Sequence, residues 1–383
     1  MPRLSRMRLL LRTSLPFALA GAMFAQVPPL TLPPSGNNQK ALVTQHIGPV
    51  LVTIDYSSPA VHAPDGKDRR GQIWGKLVPY GLEKSVFGNG KPDPWRAGAN
   101  ENTVLTVSHD VTFEGKPLAA GRYGLHMIPG PEEWTLILSK NSSAWGSFFY
   151  EDSDDALRVT VKPHKHEYRE WLTYEFTARR PAEATAELQW EELAVPWTIK
   201  VDNVSDIYLS RIRQELTGAP GFDPQSYDAA AQYCLQANTN LEEALKWAEL
   251  AVSKPFIGQA NFNTLSTKAR VLAKMGRDSE AKTVMQTALH LPGTTSIEIH
   301  QYGRQLLNAK KTEEAFAVFK FNEERNGEAW PVHVGLARGY AAKGDTKQAL
   351  EHAQKALVQA PDDLNRKSLE AMVKALSEGQ PIT

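Results

Sequence analysis

The chain has one cysteine in 383 residues, Cys234, so no internal disulfide can form and stability must come from packing. It has no excess of either charge. Its 43 Lys and Arg face 43 Asp and Glu, which removes the electrostatic basis for holding nucleic acid or an anionic membrane surface. There is no Gly-rich phosphate loop with its lysine, no serine at a nucleophile elbow and no His-Glu-x-x-His helix. No cofactor and no metal centre are therefore expected. The same absences weaken the case for an enzyme without excluding one, because a site assembled from distant strands leaves no local signature. No apolar run is long enough to cross a bilayer comfortably. What remains, with 42% hydrophobic and 22% charged residues, is a globular chain long enough for two domains.

The N-terminus stands apart. Arg3, Arg6, Arg8 and Arg12 precede "SLPFALAGAMFA", a short apolar run ending in small residues at Ala20, Ala22 and Ala25. A basic head, an apolar middle and a small-residue end are the parts of a secretory signal peptide, expected here over residues 1–25. A retained anchor is the alternative. Cleavage would remove four of the 43 basic residues and leave 39 against 43 acidic, a net charge of −4 with no membrane span. With no cysteine near the cleavage region to take a lipid, the expected location is periplasmic or extracellular.

Residues 26–44 are Pro-rich and polar and read as a linker. Alternation then sets in. Val52, Ile54 and Tyr56 fall on one face of "LVTIDY", and the same period places Leu157, Val159 and Val161 together. It also groups Leu172 with Tyr174 and Phe176, and Val195 with Trp197, Ile199 and Val201. The turns "EGKP", "AAGRYG" and "PGPEE" separate such runs. Residues 45–202 are accordingly expected to form an antiparallel β-sandwich or barrel-like domain.

Past about residue 203 the informative signal is self-similarity. "NTNLEEA", "GRDSEA", "KKTEEA" and "GDTKQA" end at Ala244, Ala281, Ala315 and Ala349, separated by 37, 34 and 34 residues. Ala251, Ala288 and Ala356 follow seven positions later, where a small side chain lets two helices cross closely, and Pro255, Pro292 and Pro361 then stop the second helices. The third copy departs, with Asn322 for alanine and no closing proline. Residues 203–383 resemble tetratricopeptide repeats, an all-α solenoid, with residues 363–378 as a polar capping helix.

Candidate functional residues concentrate in the β-rich half. "PWRAGANENT" carries Trp95, Arg96, Asn100 and Glu101 within seven positions at the mouth of the strand "TVLTVSHD". Arg96 and Glu101 could pair across the bend and fix the loop. Alternatively Arg96 and Asn100 could face a pocket, where a guanidinium fork and an amide recognise carboxylate, phosphate or sugar hydroxyls. Both roles are compatible with a pair that shapes a pocket rim, Asn100 being the residue expected to face a ligand. Tyr123, His126 and Trp145 are the further candidates, because a rigid aromatic surface beside Asn and Arg stacks against sugars or clasps peptides. Trp134, alternating with Leu136 and Leu138, reads as core, whereas Trp145 in "KNSSAWGSFFY" reads as a loop over the domain. His164 and His166 could share a face and grip an ion, but the run of charges around them favours a solvated connection between strands.

The ordered series "IDYSSPAV", "IWGKLVPYG", "WRAGANENT", "EGKPLAAGRYGLHMIPG", "EWTLILSK", "WGSFFY" and "LRVTV" resembles an exported bacterial family, the domain of unknown function numbered 2911, over about residues 45–202. The resemblance implies an exported β-rich domain and brings no reaction, ligand or catalytic residue. The stretch between "VPYG" and "WRAGAN" is longer here than in compact relatives. Two readings follow. In the leading one this is a non-catalytic envelope binding protein. Its β-domain would hold a small polar ligand or cell-wall component, such as a carbohydrate, and its repeats a protein partner. In the other it is a hydrolase or lyase using Glu101 with His126 or His109 as acid and base.

Overall fold

The computed structural model describes residues 38–84 and 87–382. The expected signal peptide, residues 1–25, and the first part of the linker lie outside the described residues. Within them the chain divides after Val201 into two compact units.

The first unit contains β1 (Gln39–Ile47), β2 (Val50–Ser58), β3 (Glu83–Lys84), β4 (Pro92–Asp93), β5 (Thr103–Val107), β6 (Val111–Phe113), β7 (Lys116–Leu118), β8 (Gly121–Ile128), β9 (Trp134–Ser139), β10 (Asp155–Val161), β11 (His164–Arg180) and β12 (Glu183–Lys200). Six strands in the spatial order β1-β2-β5-β8-β9-β10 form one sheet, and β11-β12-β6-β7 form a second. All their pairings are antiparallel. Residues 39–44, expected in the linker, instead pair along β2 as part of β1. The last proline of that stretch is Pro34, and the polar residues after it alternate as a strand.

The alternation seen in the sequence is the inner face of a sandwich. Val52, Ile54 and Tyr56 of β2 are buried, as are Leu172, Tyr174 and Phe176 of β11. The two sheets meet where Tyr56 and Tyr174 pack edge to face with centroids 4.7 Å apart, and the Tyr174 amide donates to the Tyr56 hydroxyl at 3.3 Å.

On β12 the inward residues change parity. Ala184, Ala186, Leu188 and Trp190 are buried at even positions, then Val195, Trp197, Ile199 and Val201 at odd ones. Between the two runs, Glu191 adopts φ 55 and the pairing with β11 is irregular. The register shifts on both sides of Glu191, β11 advancing four residues for two of β12 each time, and this irregularity re-aims β12 so that its apolar side stays inward, as a β-bulge does. His164 and His166 lie on the first residues of β11 and not in a connection between strands, and His164 is solvent-exposed there as expected. Their Nδ1 atoms lie against the carbonyls of Lys165 and Glu167.

The second unit consists of α1 (Val204–Glu215), α2 (Pro224–Ala237), α3 (Leu241–Ser253), α4 (Phe262–Lys274), α5 (Asp278–His290), α6 (Ser296–Asn308), α7 (Thr312–Asn326), α8 (Trp330–Ala342), α9 (Thr346–Val358) and α10 (Asp363–Ser377). Helices α2 to α9 pack as four successive pairs. Ala244, Ala315 and Ala349 are fully buried and Ala281 nearly so, each in the second helix of its pair, and Ala251, Ala288 and Ala356 are buried two turns on. Pro255, Pro292 and Pro361 fall just past α3, α5 and α9. Where the third pair departs, the structure compensates. Gly327 with φ 61 ends α7, and buried Asn322 donates to the Ser296 carbonyl at 2.9 Å while accepting from Asn326 at 2.8 Å. Its polar atoms are thus satisfied inside the crossing, which is what makes asparagine tolerable there. Helix α10 lays Leu369, Met372 and Leu376 on the last pair and turns its polar side outward, as a capping helix must.

Candidate functional site

Arg96 is set by the strand that precedes it in space. Trp95 exchanges both backbone hydrogen bonds with Met127 at 2.8 Å, which turns its indole inward among Trp74, Trp134 and Trp190. Arg96 therefore leaves on the opposite side, the outer side of the six-stranded sheet, where His126 also projects between inward Leu125 and Met127.

The Arg96 guanidinium donates to the Asn100 carbonyl at 2.8 Å and lies over the Phe148 ring, 4.6 Å from its centroid. Gly146 presses on it so closely that a Cβ there would sit 2.4 Å from Arg96 Cζ. Phe148 is itself tied down, since the Asn89 amide donates to its carbonyl at 3.1 Å. Burial holds Arg96 below the usual guanidinium range against the opposing pull of Asp93 and Glu83, and the same burial pushes the Asp93 carboxyl up.

The expected Arg96–Glu101 pair does not form. Glu101 accepts from Ser57 at 3.1 Å and lies 3.9 Å from Lys40, both on the first two strands. The bend is too tight for the pair: Ala97 and Asn100 both have positive φ, which reverses the chain and sends Glu101 away from Arg96. Asn100 Oδ1, expected to face a ligand, accepts from Asn38 at 3.0 Å. The Ala97 carbonyl inside the bend accepts from the hydroxyls of Thr103 (3.0 Å) and Tyr174 (2.6 Å), fixing loop and sandwich together.

The remaining candidates separate into three places. His126 is 2% exposed, and its Nδ1 lies 2.8 Å from Ser147 Oγ. The Tyr150 ring stands edge-on to it at 5.4 Å and donates its hydroxyl to Asp155 at 2.8 Å. Tyr123 points to the core side and donates to the Ala119 carbonyl at 2.9 Å, closing the turn before β8. Trp145 is 51% exposed at the crown of the loop whose stem carries Ser147 and Phe148. The six sequence candidates thus do not converge on one cavity. Three of them, Arg96, His126 and Trp145, belong to one arrangement, a loop at 141–150 clamped onto the outer face of the sheet.

Sequence reasoning missed Ser147, Asn102 and Gly124. Asn102 donates to the Asn141 carbonyl at 3.2 Å, and its buried Oδ1 has no hydrogen-bond partner among the described residues. Gly124 sits where Asn102 Nδ2, the Asn141 carbonyl and His126 Nε2 converge, all within 3.1 Å of a Cβ placed there, so only glycine fits. Neither "ENT" nor "RYGLH" announces these contacts locally.

His126 and Ser147 have the separation of a base and a nucleophile, yet both are 2% exposed. Burial first, and the nearby Arg96 charge second, push His126 down to about 4, which makes it a weak base toward serine at neutral pH. His109 is at the far end of β5 from Glu101 and rests on Ser108 at 2.9 Å.

The depressed histidine makes a pH prediction. In the unfolded chain it protonates near 6.5, in the folded chain near 4, so the unfolded state binds the extra proton between those values. Stability should be retained above pH 6.5, fall toward pH 4 by up to about 1.4 kcal/mol per pH unit, and level off below it. Buried His300 shares the window, being likewise pushed to about 4. Urea denaturation of His126→Asn at pH 7 and pH 5 should show a smaller difference than the parent protein; an unchanged difference would remove His126 from this account.

Residues 38–199 match the family described as "Protein of unknown function (DUF2911)". The DUF2911 match covers the sandwich and brings no assigned role to the clamped loop. No curated protein matches the chain. Among solved structures, the chain is similar to MamA from Desulfovibrio magneticus RS-1 at 20% identity, over 42% of this chain and 95% of that one, with a TM-score of 0.27. It is also similar to YrrB, described as a tetratricopeptide protein with an unusual peptide-binding site (22% identity, 44% and 86% covered, TM-score 0.28). A third is TTC0263, a tetratricopeptide protein of Thermus thermophilus (20% identity, 44% and 90% covered, TM-score 0.29). The helix-pair assignment beyond the DUF2911 segment rests on the repeat period and the packing of α2 to α9.

Proposed function

We propose that this is an exported, non-catalytic binding protein in which the helical unit takes a protein partner in the groove lined by its first helices. The observation that carries this reading is a cavity of about 450 Å³ across α2, α4 and α6, presenting Gln232, Asn263, Thr267, Gln301, Tyr302 and Gln305. Amides and hydroxyls repeated along neighbouring helices match the donors and acceptors of an extended backbone, and an aromatic among them supplies contact area.

A second surface is supported by the clamp. Arg96, His126 and Ser147 hold the stem of the 141–150 loop, and Trp145 and Phe149 project from it at 51% and 58% exposure. Exposed rings on a braced loop suit stacking on a carbohydrate or another small polar ligand at little entropic cost. The acid–base alternative has less support, because Glu101 is engaged by Ser57 and Lys40 and the buried histidine is a poor base.

Site-specific photo-crosslinking in cells tests the main reading. A crosslinker at Gln301, inside the groove, should give a discrete protein adduct in the cell envelope fraction, and one at Lys347, on exposed α9, should not. The adduct should carry a chain that starts near residue 26. Equal adducts from both positions, or none from Gln301, would defeat the groove reading; a chain retaining residues 1–25 would defeat cleavage.

A further inference from the structure

The last of the four helix pairs differs from the two before it at one buried contact. His333, the fourth residue of α8, and His352, the seventh of α9, are 1% and 7% exposed, and their Nδ1 atoms face each other at 3.1 Å. The repeat period gives their counterparts directly. At the same helix positions 34 residues earlier stand Ile299 and Val318, and 34 before those Leu265 and Val284. Leu265, Ile299 and Val318 are buried in one apolar core with Val284 packed against it. An imidazole pair has therefore replaced an aliphatic one, on helices whose other inward residues, Val334, Ala337, Ala349 and Ala353, remain apolar.

The contact needs one hydrogen between the two nitrogens, because two lone pairs at that distance repel and two N–H groups do as well. The surroundings decide which ring supplies it. His333 Nε2 is buried, has no hydrogen-bond partner among the described residues and lies 3.3 Å from Glu328 Oε2, so that nitrogen favours a hydrogen over a lone pair. In the neutral pair His333 thus carries its hydrogen on Nε2, and its Nδ1 accepts from His352 Nδ1–H. The Tyr340 ring stacks on His352 at 5.5 Å and 11°, which holds the donor ring in plane.

Acid disturbs this arrangement at either ring. A proton on His352 places a charge where water hardly reaches, and a proton on His333 Nδ1 removes the acceptor and sets two N–H groups against each other. Burial first, then His333 and Lys355, hold His352 below the usual imidazole range; Glu323 of α7 and Glu351 of α9 pull the other way. Their pull is blunted, since Glu351 lies 3.2 Å from Lys355 and Glu323 is paired with Lys320. With its folded value depressed, His352 binds more protons released than packed. The contact is fully supported above about pH 6.5 and weakens as pH falls below it, a dependence the aliphatic pairs lack.

We propose that the His333–His352 pair is an acid-operated latch, whose protonation detaches α9 and α10 from α8 and uncovers the apolar side of α8 carrying Val334 and Ala337. Helix α10 follows α9 because Leu369, Met372 and Leu376 share a cluster with Ala349, Ala353 and Ala356. Neither histidine lines the groove across α2, α4 and α6, so the latch goes beyond the partner reading and does not rest on it.

Hydrogen exchange of the full chain at pH 7 and pH 5, corrected for the intrinsic pH dependence of amide exchange, tests this. Exchange in α9 and α10 should accelerate by about tenfold or more at pH 5, the effect of one linked proton over about one pH unit. Helices α2 and α3, which contain no histidine, should keep their protection. The double variant His333→Ile/His352→Val returns the residues of the preceding repeat and should abolish the acceleration. His352→Asn, a polar partner that does not titrate, should reduce it, and keeps the test decisive if the double variant does not fold. No acceleration in the parent protein, acceleration that persists in the variants, or acceleration spread equally over α2 and α3 would overturn the proposal. So would acceleration removed by His300→Asn instead, which would assign it to the buried histidine of α6.

Discussion

Arg96→Ala should destabilise the sandwich unit by about 2–3 kcal/mol, the sum expected for one charge-assisted hydrogen bond to a carbonyl and one partly desolvated cation–π contact. The substitution removes the donor to the Asn100 carbonyl and the group on which Phe148 and Gly146 rest. Its effect should be local before it is global. Hydrogen exchange at 96–102 and 141–150 should accelerate more than exchange in β2 or β8, because the loop loses its clamp while the inter-sheet core is untouched. Arg96→Lys should recover only part of the loss: an ammonium can reach a carbonyl but cannot lie flat on Phe148 and bond Asn100 at once. A variant with unchanged stability and unchanged exchange would show that the guanidinium contributes nothing net and would reopen a ligand-facing role for it.

How much of this was legible beforehand depends on whether the signal was periodic. The inward faces of β2, β11 and the end of β12 could be read by alternation because each buries one side against the other sheet. The 34-residue period similarly exposed the helix pairs, down to the exceptional third copy. What alternation could not show was the parity change at Glu191, since a bulge erases the period it crosses. The candidate site was legible only as a neighbourhood. The chemistry of Arg96, His126 and Trp145 marks each of them, but what joins them is the 141–150 loop, which carries Trp145 and folds back over the sheet. Glu101 and Tyr123 have comparable chemistry but lie elsewhere, because two positive-φ residues and a turn carbonyl decide their directions. Residue type marks what a side chain can do; backbone reversal decides what it meets.

The largest stability effect should come from Phe319→Ala in the helical unit, about 3–5 kcal/mol. Phe319 is fully buried on α7, on the same face as Ala315 and Asn322, and three glycines receive it. A Cβ on Gly303 would lie 2.3 Å from its ring, one on Gly335 2.6 Å and one on Gly339 2.9 Å. The neighbouring repeats show that this is a fitted set. One repeat earlier, the counterparts of Gly303 and Phe319 are Ala269 and Met285, and one repeat later they are Ala337 and Ala353. The aromatic occurs where the facing helices have given up their Cβ atoms. This fixes the sign of a second substitution that propensity alone would get wrong. Gly335→Ala should gain about 1 kcal/mol as a better helix former, but inserting a methyl against the ring and His300 costs about 1–3 kcal/mol, so the net change should be destabilising. Combined with Phe319→Leu, whose smaller side chain vacates the contested space, Gly335→Ala should become neutral or stabilising, and a double-mutant cycle by chemical denaturation should show favourable coupling. Strict additivity would mean the glycines are there for another reason, and the packing account of this repeat would fail.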